Sequence, residues 1–308
     1  ERARSIVTRN QSPDIPFSAS INPYRGCEHG CIYCYARPSH AYLDLSPGLD
    51  FETKLSAKDN APDVLVQTLR KKSYRPETLT IGANTDPYQP VERERRITRR
   101  LLETTLESRH PVAVITKSAL VLRDLDLLAE LAKLELVQVF LSITTLDSRL
   151  SRIMEPRAAS PARRLEAVRQ LSAAGVPVGV MAAPMIPAIN DHELDKIVEA
   201  AATAGARTCS YILVRLPLEI KELFEAWLDE HFADRKEKVL GLIRQTRGGK
   251  LYDSSFGVRM RGQGTYADLL ARRFEVARRR HGLEERLPAL SADRFEPPGA
   301  VGDQLSLL

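Results

Sequence analysis

The sequence predicts an α/β protein with a mainly parallel sheet, followed by a helical extension. Three observations predict it. Between about residues 22 and 215, short β-rich runs alternate with amphipathic helical patterns; several of those runs are apolar on both faces; and the pattern changes after Pro217. The strands are expected at residues 18–22, 79–83, 112–117, 137–144, 176–182 and 210–215. The helices between them are expected at 62–71, 99–107, 124–133, 161–174 and 193–204, with apolar residues three and four apart, as in Leu165, Val168 and Leu171. Gly175 and Gly205 follow two of these helices, where a left-handed cap suits glycine. Long crossovers between successive strands imply parallel pairing of right-handed sense. A run such as 137–143, apolar on both faces, fits a strand covered by helices on one side and packed interior on the other. Six such units satisfy either an open doubly wound sheet or an incomplete barrel.

After Pro217 two helices are expected at 219–231 and 234–246, then a Gly-rich stretch and a basic helix at 266–280. The expected organisation is an N-terminal segment 1–17, an α/β unit 18–217, a helical extension 218–290 and a flexible tail 291–308. Pro297-Pro298-Gly299 marks the start of the last of these.

Bulk composition excludes several classes. With 308 residues, 43% of them apolar and 28% charged, the chain can bury a large core and is not of disordered composition. No apolar run approaches the roughly 20 residues that cross a bilayer, so no membrane partner is expected. Glu1-Arg2-Ala3-Arg4 shows no apolar signal segment, and a cytoplasmic location is the expectation. A net charge of +5 is compatible with nucleic acid without requiring it. Three of the 4 cysteines crowd into one short segment, which points to metal rather than to a disulfide framework.

That segment reads Cys27-Glu28-His29-Gly30-Cys31-Ile32-Tyr33-Cys34. Three thiolates on one loop can hold three irons of a cubane cluster, leaving the fourth iron open to an outside ligand. Gly26 and Gly30 let the loop wrap closely. A zinc site is the alternative, closed by His29 or His40, because structural zinc takes four protein ligands.

The C-x3-C-x2-C spacing, with Tyr33 before the last cysteine and the loop following the first strand, resembles the signature of the radical S-adenosylmethionine (SAM) superfamily. The resemblance implies a partial (β/α)6 barrel with a C-terminal, mainly helical extension. It implies a [4Fe–4S] cluster on Cys27, Cys31 and Cys34, SAM bound at the open iron, and a reductase, flavodoxin or ferredoxin as electron donor. The closest likeness is to the spore photoproduct lyase-like group, through Asn22-Pro23-Tyr24, the Thr85–Glu92 stretch Thr-Asp-Pro-Tyr-Gln-Pro-Val-Glu, and Ser142-Ile143-Thr144-Thr145-Leu146-Asp147.

In parallel barrels chemistry sits at the carboxyl ends of the strands. Read in order, those ends offer Asn84, Thr85 and Asp86, then Ser142 and Thr144, then Glu155 and Arg157, then Met181, and finally Arg215. Together with Tyr33 these are the expected SAM-binding residues. The lyase returns a hydrogen atom from a cysteine just downstream of its cluster, but this chain has none between Cys34 and Cys209. Cys209 reads as a small buried thiol, and Tyr88 is the other candidate donor.

Two features lean towards nucleic acid, DNA more than RNA. Arg272, Arg273 and Arg278-Arg279-Arg280 make the terminal helix basic. The C-terminal Gln304-Leu305-Ser306-Leu307-Leu308 resembles the peptide that binds the bacterial sliding clamp. The expected function is radical SAM chemistry on a nucleic-acid base, in repair or modification. The alternatives are the same chemistry on a protein or small molecule, or a non-catalytic, metal-stapled nucleic-acid-binding protein.

Overall fold

The computed structural model describes residues 1–285 and 287–299. Its main sheet has seven strands: β1 (Val7–Arg9), β2 (Ala19–Ile21), β3 (Leu79–Ile81), β4 (Val112–Thr116), β5 (Val137–Ser142), β6 (Val178–Met185) and β7 (Thr208–Leu213). All six expected strands are present. The seventh, β1, pairs antiparallel with β2 and was not foreseen, because three residues between turn-formers carry no readable alternation. Helices α1 (Ala61–Leu69), α2 (Ile97–Glu107), α3 (Leu125–Lys133), α4 (Pro161–Ala173) and α5 (Leu194–Thr203) fill the crossovers.

From β2 to β7 every pairing is parallel and spatial order equals chain order. That order decides between the two architectures. A doubly wound sheet reverses its winding and puts helices on both faces, whereas same-handed crossovers in one direction place all helices on one face and curl the other inwards. The result is a partial barrel, with β1 and β7 left as unpaired edges.

The two faces differ as this requires. Leu79, Ile81, Val112, Val114, Val137, Val139, Leu141, Val178 and Val180 face the helices and are fully buried. The alternate residues Ile115, Gln138, Phe140, Met181, Ser210 and Ile212 face the concave interior and are only half-buried. Side-chain alternation along each strand thus separates a packed layer from an accessible one.

The extension contains α6 (Ile220–His231), α7 (Lys236–Gln245) and α8 (Thr265–Arg280). Helix α8 packs on α5, on the outer layer, and the Phe274 ring lies tilted against Tyr211 of β7 at 4.8 Å between centroids. Beyond it lie residues 287–299, the last nine of which fall in the segment 291–308 expected as a flexible tail. They run beneath the sheet: Gln138 donates to Pro288 O, Arg294 to Leu134 O at 3.3 Å, Glu296 N to Ser108 O at 3.0 Å, and Arg70 to Pro298 O at 3.0 Å. Proline-rich chain makes few bonds of its own, so carbonyls at helix ends and the Arg70 and Gln138 side chains hold it. The Gln304-Leu305-Ser306-Leu307-Leu308 peptide lies outside the described residues. Among the described residues no helix is long and apolar enough to cross a membrane.

The same segment covers a titratable group. His110 is fully buried, accepts or donates to the Tyr74 hydroxyl at 2.8 Å, and lies under Phe295 at 5.3 Å. Burial holds its pKa down to about 4. A folded-state value below the ordinary 6.5 means that stability is fully present above pH 6.5 and is lost as pH falls through 4. Between pH 7 and pH 5 the wild type should lose about 2 kcal/mol more than His110→Gln. Urea melts of both proteins at the two pH values check this; parallel losses would contradict it.

Candidate active site

The three clustered cysteines follow β2, at the carboxyl end of the first parallel strand, and are free thiols. Cys27 and Cys31 are buried and Cys34 is half-buried. The loop is pinned from several sides. Cys27 N donates to Phe51 O at 2.9 Å, Ile32 N to Met154 O at 3.0 Å, and Arg157 N to His29 O at 3.3 Å. The buried Arg37 donates from Nε to Cys31 O at 2.9 Å and from Nη1 to Gly48 O at 2.8 Å. The fully buried Gln89 accepts from Glu28 N at 2.9 Å and donates to Gly26 O at 3.2 Å.

Glycine is required twice in this loop. Gly26 has φ +76, and a Cβ there would stand 2.8 Å from Phe51 O; Gly30 has φ +67, and a Cβ would stand 2.7 Å from Glu52 Oε2. Both of these oxygens belong to groups that clamp the loop: Phe51 O accepts from Cys27 N, and Glu52 pairs with Arg37 and Arg157.

Two buried carboxylates organise the surroundings. Asp86 accepts from Thr116 Oγ1 and Lys117 N, each at 2.7 Å, and from Tyr88 N at 2.9 Å, while His29 Nδ1 lies 3.4 Å away. Burial alone would raise its pKa, but the His29 ring and these hydrogen bonds hold it at about 2. Its backbone N–H in turn points at the Cys27 sulfur. Glu155 accepts from the Tyr33 hydroxyl, from Thr144 Oγ1 at 2.6 Å and from the buried Arg164. Burial again pushes its pKa up, and the charges of Arg164 and Lys117 bring it down to about 2. Arg164 also donates to Ser142 O at 3.0 Å and Ala159 O at 2.7 Å, tying α4 to the ends of β5 and the Glu155 turn.

The expected SAM-binding residues therefore separate into two sets. Tyr33, Thr144, Glu155, Asp86 and Thr85 have their polar atoms engaged within the protein; Thr85 Oγ1 donates to Tyr24 O at 2.8 Å. Arg157 lies against the cysteine loop, donating to Glu28 O and to Glu52. The side chains of the other set lie outside that network, Ser142 among them although it is buried. Asn84 is exposed, with its backbone N–H on Asn22 Oδ1 at 2.8 Å. Ser142 and Met181 are cross-strand partners on the concave face. Arg215 lies over the Tyr35 ring, 4.7 Å from its centroid.

Neither candidate hydrogen donor faces the concave side. Tyr88 is buried and donates to Asp124 at 3.0 Å, in a network with Arg123 and Glu92. Cys209 pairs in register with Val180 on the helix-facing side of β7, packed as the small buried thiol expected, and burial pushes its pKa up to about 12.

Sequence reading missed Lys117 and Arg164. Lys117 follows β4 and its Nζ stands 5.8 Å from the Tyr33 ring centroid, close enough to act on both Cys31 and Glu155. A lysine at a strand's carboxyl end was the available signal. Arg164 sits in a helix rich in exposed arginines, and nothing in the pattern marks it as the buried one. Asn190 was missed as well: it donates to Thr144 O at 2.8 Å and Pro184 O at 2.9 Å, linking the ends of β5 and β6.

The donor set fits an iron–sulfur cluster. Burial, and then the Asp86 charge and the other two thiols, push Cys27 far above the ordinary thiol range; burial and Glu155 push Cys31 up to about 12. Three thiolates in this pocket need a cationic centre to persist, and bound iron supplies one. Among the described residues no three His, Cys, Asp or Glu side chains converge to hold a single metal ion. A cubane offers its irons at separate corners, so its ligands need not converge on one point.

Residues 21–201 match the radical SAM superfamily. An uncharacterized protein of Mycobacterium tuberculosis is 38% identical over 216 residues, 70% of this chain and 64% of that protein. The chain thus spans under two thirds of that relative's length. An uncharacterized protein of Methanocaldococcus jannaschii is 30% identical over 219 residues, 71% of this chain and 78% of its own length. Among solved structures, spore photoproduct lyase complexed with dinucleoside spore photoproduct has the same fold, with a TM-score of 0.66 at 16% identity over 91% of this chain and 78% of that one.

Proposed function

Because the chain belongs to the radical SAM superfamily, we propose that it is an enzyme using a [4Fe–4S] cluster and SAM, that Cys27, Cys31 and Cys34 hold the cluster, and that the substrate is nucleic acid. The observation that carries the first part is three free thiols on one clamped loop at the carboxyl end of β2. When bound, the cluster and SAM would supply one-electron radical chemistry able to abstract a hydrogen atom.

The protein's own residues do the rest. Ser142 and Met181 line the concave face on which SAM would lie, with the Met181 thioether against its adenine. Lys117 would pair with the SAM carboxylate, and the exposed Asn84 side chain would accept from its amine. Tyr33, Thr144, Glu155 and Arg164 are positioning residues, since their polar atoms bond to one another. Asp86 positions His29 and the Cys27 side of the loop. Arg157 holds the loop rather than the cofactor.

The nucleic-acid target is supported by the fold shared with a lyase that is solved with a dinucleoside photoproduct. The basic helix adds less than its sequence suggested: Arg273 pairs with Asp195, Arg278 with Glu275 at 3.0 Å and Arg279 with Glu284 at 3.1 Å, on the outer layer. That pairing favours, as a second reading, a protein or small-molecule target. Binding of the sliding clamp by Gln304-Leu305-Ser306-Leu307-Leu308 is a proposal from the sequence pattern alone.

The test is SAM cleavage by the reconstituted, dithionite-reduced enzyme with mixed-sequence or UV-irradiated oligonucleotides. Hydrogen transfer from a deuterated oligonucleotide into 5′-deoxyadenosine is expected. Deuterium transfer from no oligonucleotide tested, with unchanged cleavage, would favour the second reading.

A further inference from the structure

The partial barrel is open between its first and last strands, and the side chains along this gap are neither apolar packing nor ordinary surface. Tyr35, next to Cys34, crosses it: its hydroxyl donates to Ala83 O after β3, while its ring lies under Arg215 after β7. The ring is 41% exposed, although it sits beside the cysteine loop. Arg215 has no carboxylate within salt-bridge distance among the described residues. Its Nη1 meets only the Met260 thioether at 3.6 Å, and its buried Nε has no partner.

A second arginine lies behind the first. Arg247 is fully buried; it donates to Val258 O and to Val214 O at 3.1 Å, and its Nε also lacks a partner. Burial and the neighbouring Arg215 charge hold its pKa below the ordinary arginine value, the sign of two like charges kept close. The nearby acid is already engaged: Asp14, on the loop between β1 and β2, accepts from Gly257 N at 2.7 Å and from Arg259 Nε at 2.5 Å. This contact bridges the gap from the β1 side to the segment beyond α7. It also presents Phe256, 59% exposed, with the Arg259 guanidinium 4.7 Å from its ring centroid.

Two accessible aromatic rings each lie against an arginine, and one of these arginines, Arg215, has no carboxylate partner among the described residues. Bases stack on exposed aromatic faces, and arginine takes phosphate through its forked donors. Leaving buried guanidinium N–H groups unsatisfied costs free energy that a bound oxyanion would recover. We propose that this gap is the entry groove for a single-stranded or extrahelical stretch of nucleic acid, with Arg215 on a backbone phosphate and Tyr35 and Phe256 stacking the bases beside it. The inference rests on the nucleic-acid reading above and assigns Arg215 to the substrate, not to SAM. A stacked duplex presents no free base faces, so its bases must be extruded to use the two rings.

The test is fluorescence anisotropy of the full chain with a labelled mixed-sequence 12-mer, single-stranded or annealed to its complement, over a range of salt concentrations. The single strand should bind at least about tenfold more tightly than the duplex. Phe256→Ala should weaken single-strand binding by about tenfold, consistent with loss of one stacked base. Arg215→Gln should weaken it and reduce the salt slope by about one. Circular dichroism melts confirm that each variant is folded; Phe256 is exposed, so its variant keeps the test open should Arg215→Gln misfold. Equal binding by wild type and both folded variants, or by duplex and single strand, would overturn the groove while leaving the nucleic-acid reading intact. A wild type that binds none of these oligonucleotides would remove both.

Discussion

Cys31→Ala should abolish reductive SAM cleavage and leave a chain that cannot assemble its cluster. Two remaining thiolates cannot hold three irons of a cubane, and no neighbour replaces the third. Glu155 is the nearest buried carboxylate with a charge acting on Cys31, but its oxygens are taken by Tyr33, Thr144 and Arg164. The backbone around Cys31 is held independently, through Ile32 N on Met154 O at 3.0 Å and Arg37 Nε on Cys31 O at 2.9 Å. The apo-variant should therefore fold and melt within a few degrees of the apo-wild type. Iron content, the charge-transfer absorption of the reconstituted protein and 5′-deoxyadenosine after dithionite are the readouts. A variant with wild-type iron and SAM turnover would show that the ligand set lies elsewhere.

The second large effect is on stability. Glu155→Gln leaves Arg164 charged, almost completely buried and without its ion partner. Removing one member of a buried pair costs about 3–5 kcal/mol, and a chain of this size should lose roughly 10 °C in melting temperature. Replacing both, as Glu155→Leu with Arg164→Met, removes the stranded charge and should recover more than half of that loss. Additive losses in a double-mutant cycle would show that the two side chains do not act as a pair. The variants also test positioning. With Glu155 changed, the Tyr33 hydroxyl loses its acceptor, so SAM affinity measured by calorimetry on the reconstituted protein should fall in Glu155→Gln while Arg37-side contacts persist.

Most of the fold was legible because its signals are local. Each parallel strand is a short, largely apolar run, and the crossover helices carry apolar residues three and four apart, so elements such as Val137–Ser142 and Pro161–Ala173 stand out from periodicity. The choice between barrel and open sheet was not legible from periodicity, because it depends on strand order, which only pairing between distant segments reveals. The seating of residues 287–299 was hidden for a related reason. Prolines and glycines there signal irregular chain, and it is held by helix-end carbonyls and the Arg70 side chain, all far away in sequence.

The site divides along the same line. The cluster of Cys27, Cys31 and Cys34 was readable from spacing, as were the turn that carries Asn84 and the strands that carry Ser142 and Met181. What the residue types did not disclose was which polar atoms would already be engaged. Asp86 and Glu155 look like free acceptors in the sequence, yet each is saturated by partners at least nine residues away, apart from the local Tyr88 N–H. Arg164 is one arginine among several in its helix, and only the packing of α4 under the end of β5 makes it the buried one.

The most direct test of the account is anaerobic reconstitution of the full chain with iron and sulfide, followed by SAM and dithionite. The account predicts about four irons per chain and formation of 5′-deoxyadenosine, both requiring Cys27, Cys31 and Cys34. About one zinc per chain, no iron uptake and no 5′-deoxyadenosine would contradict it.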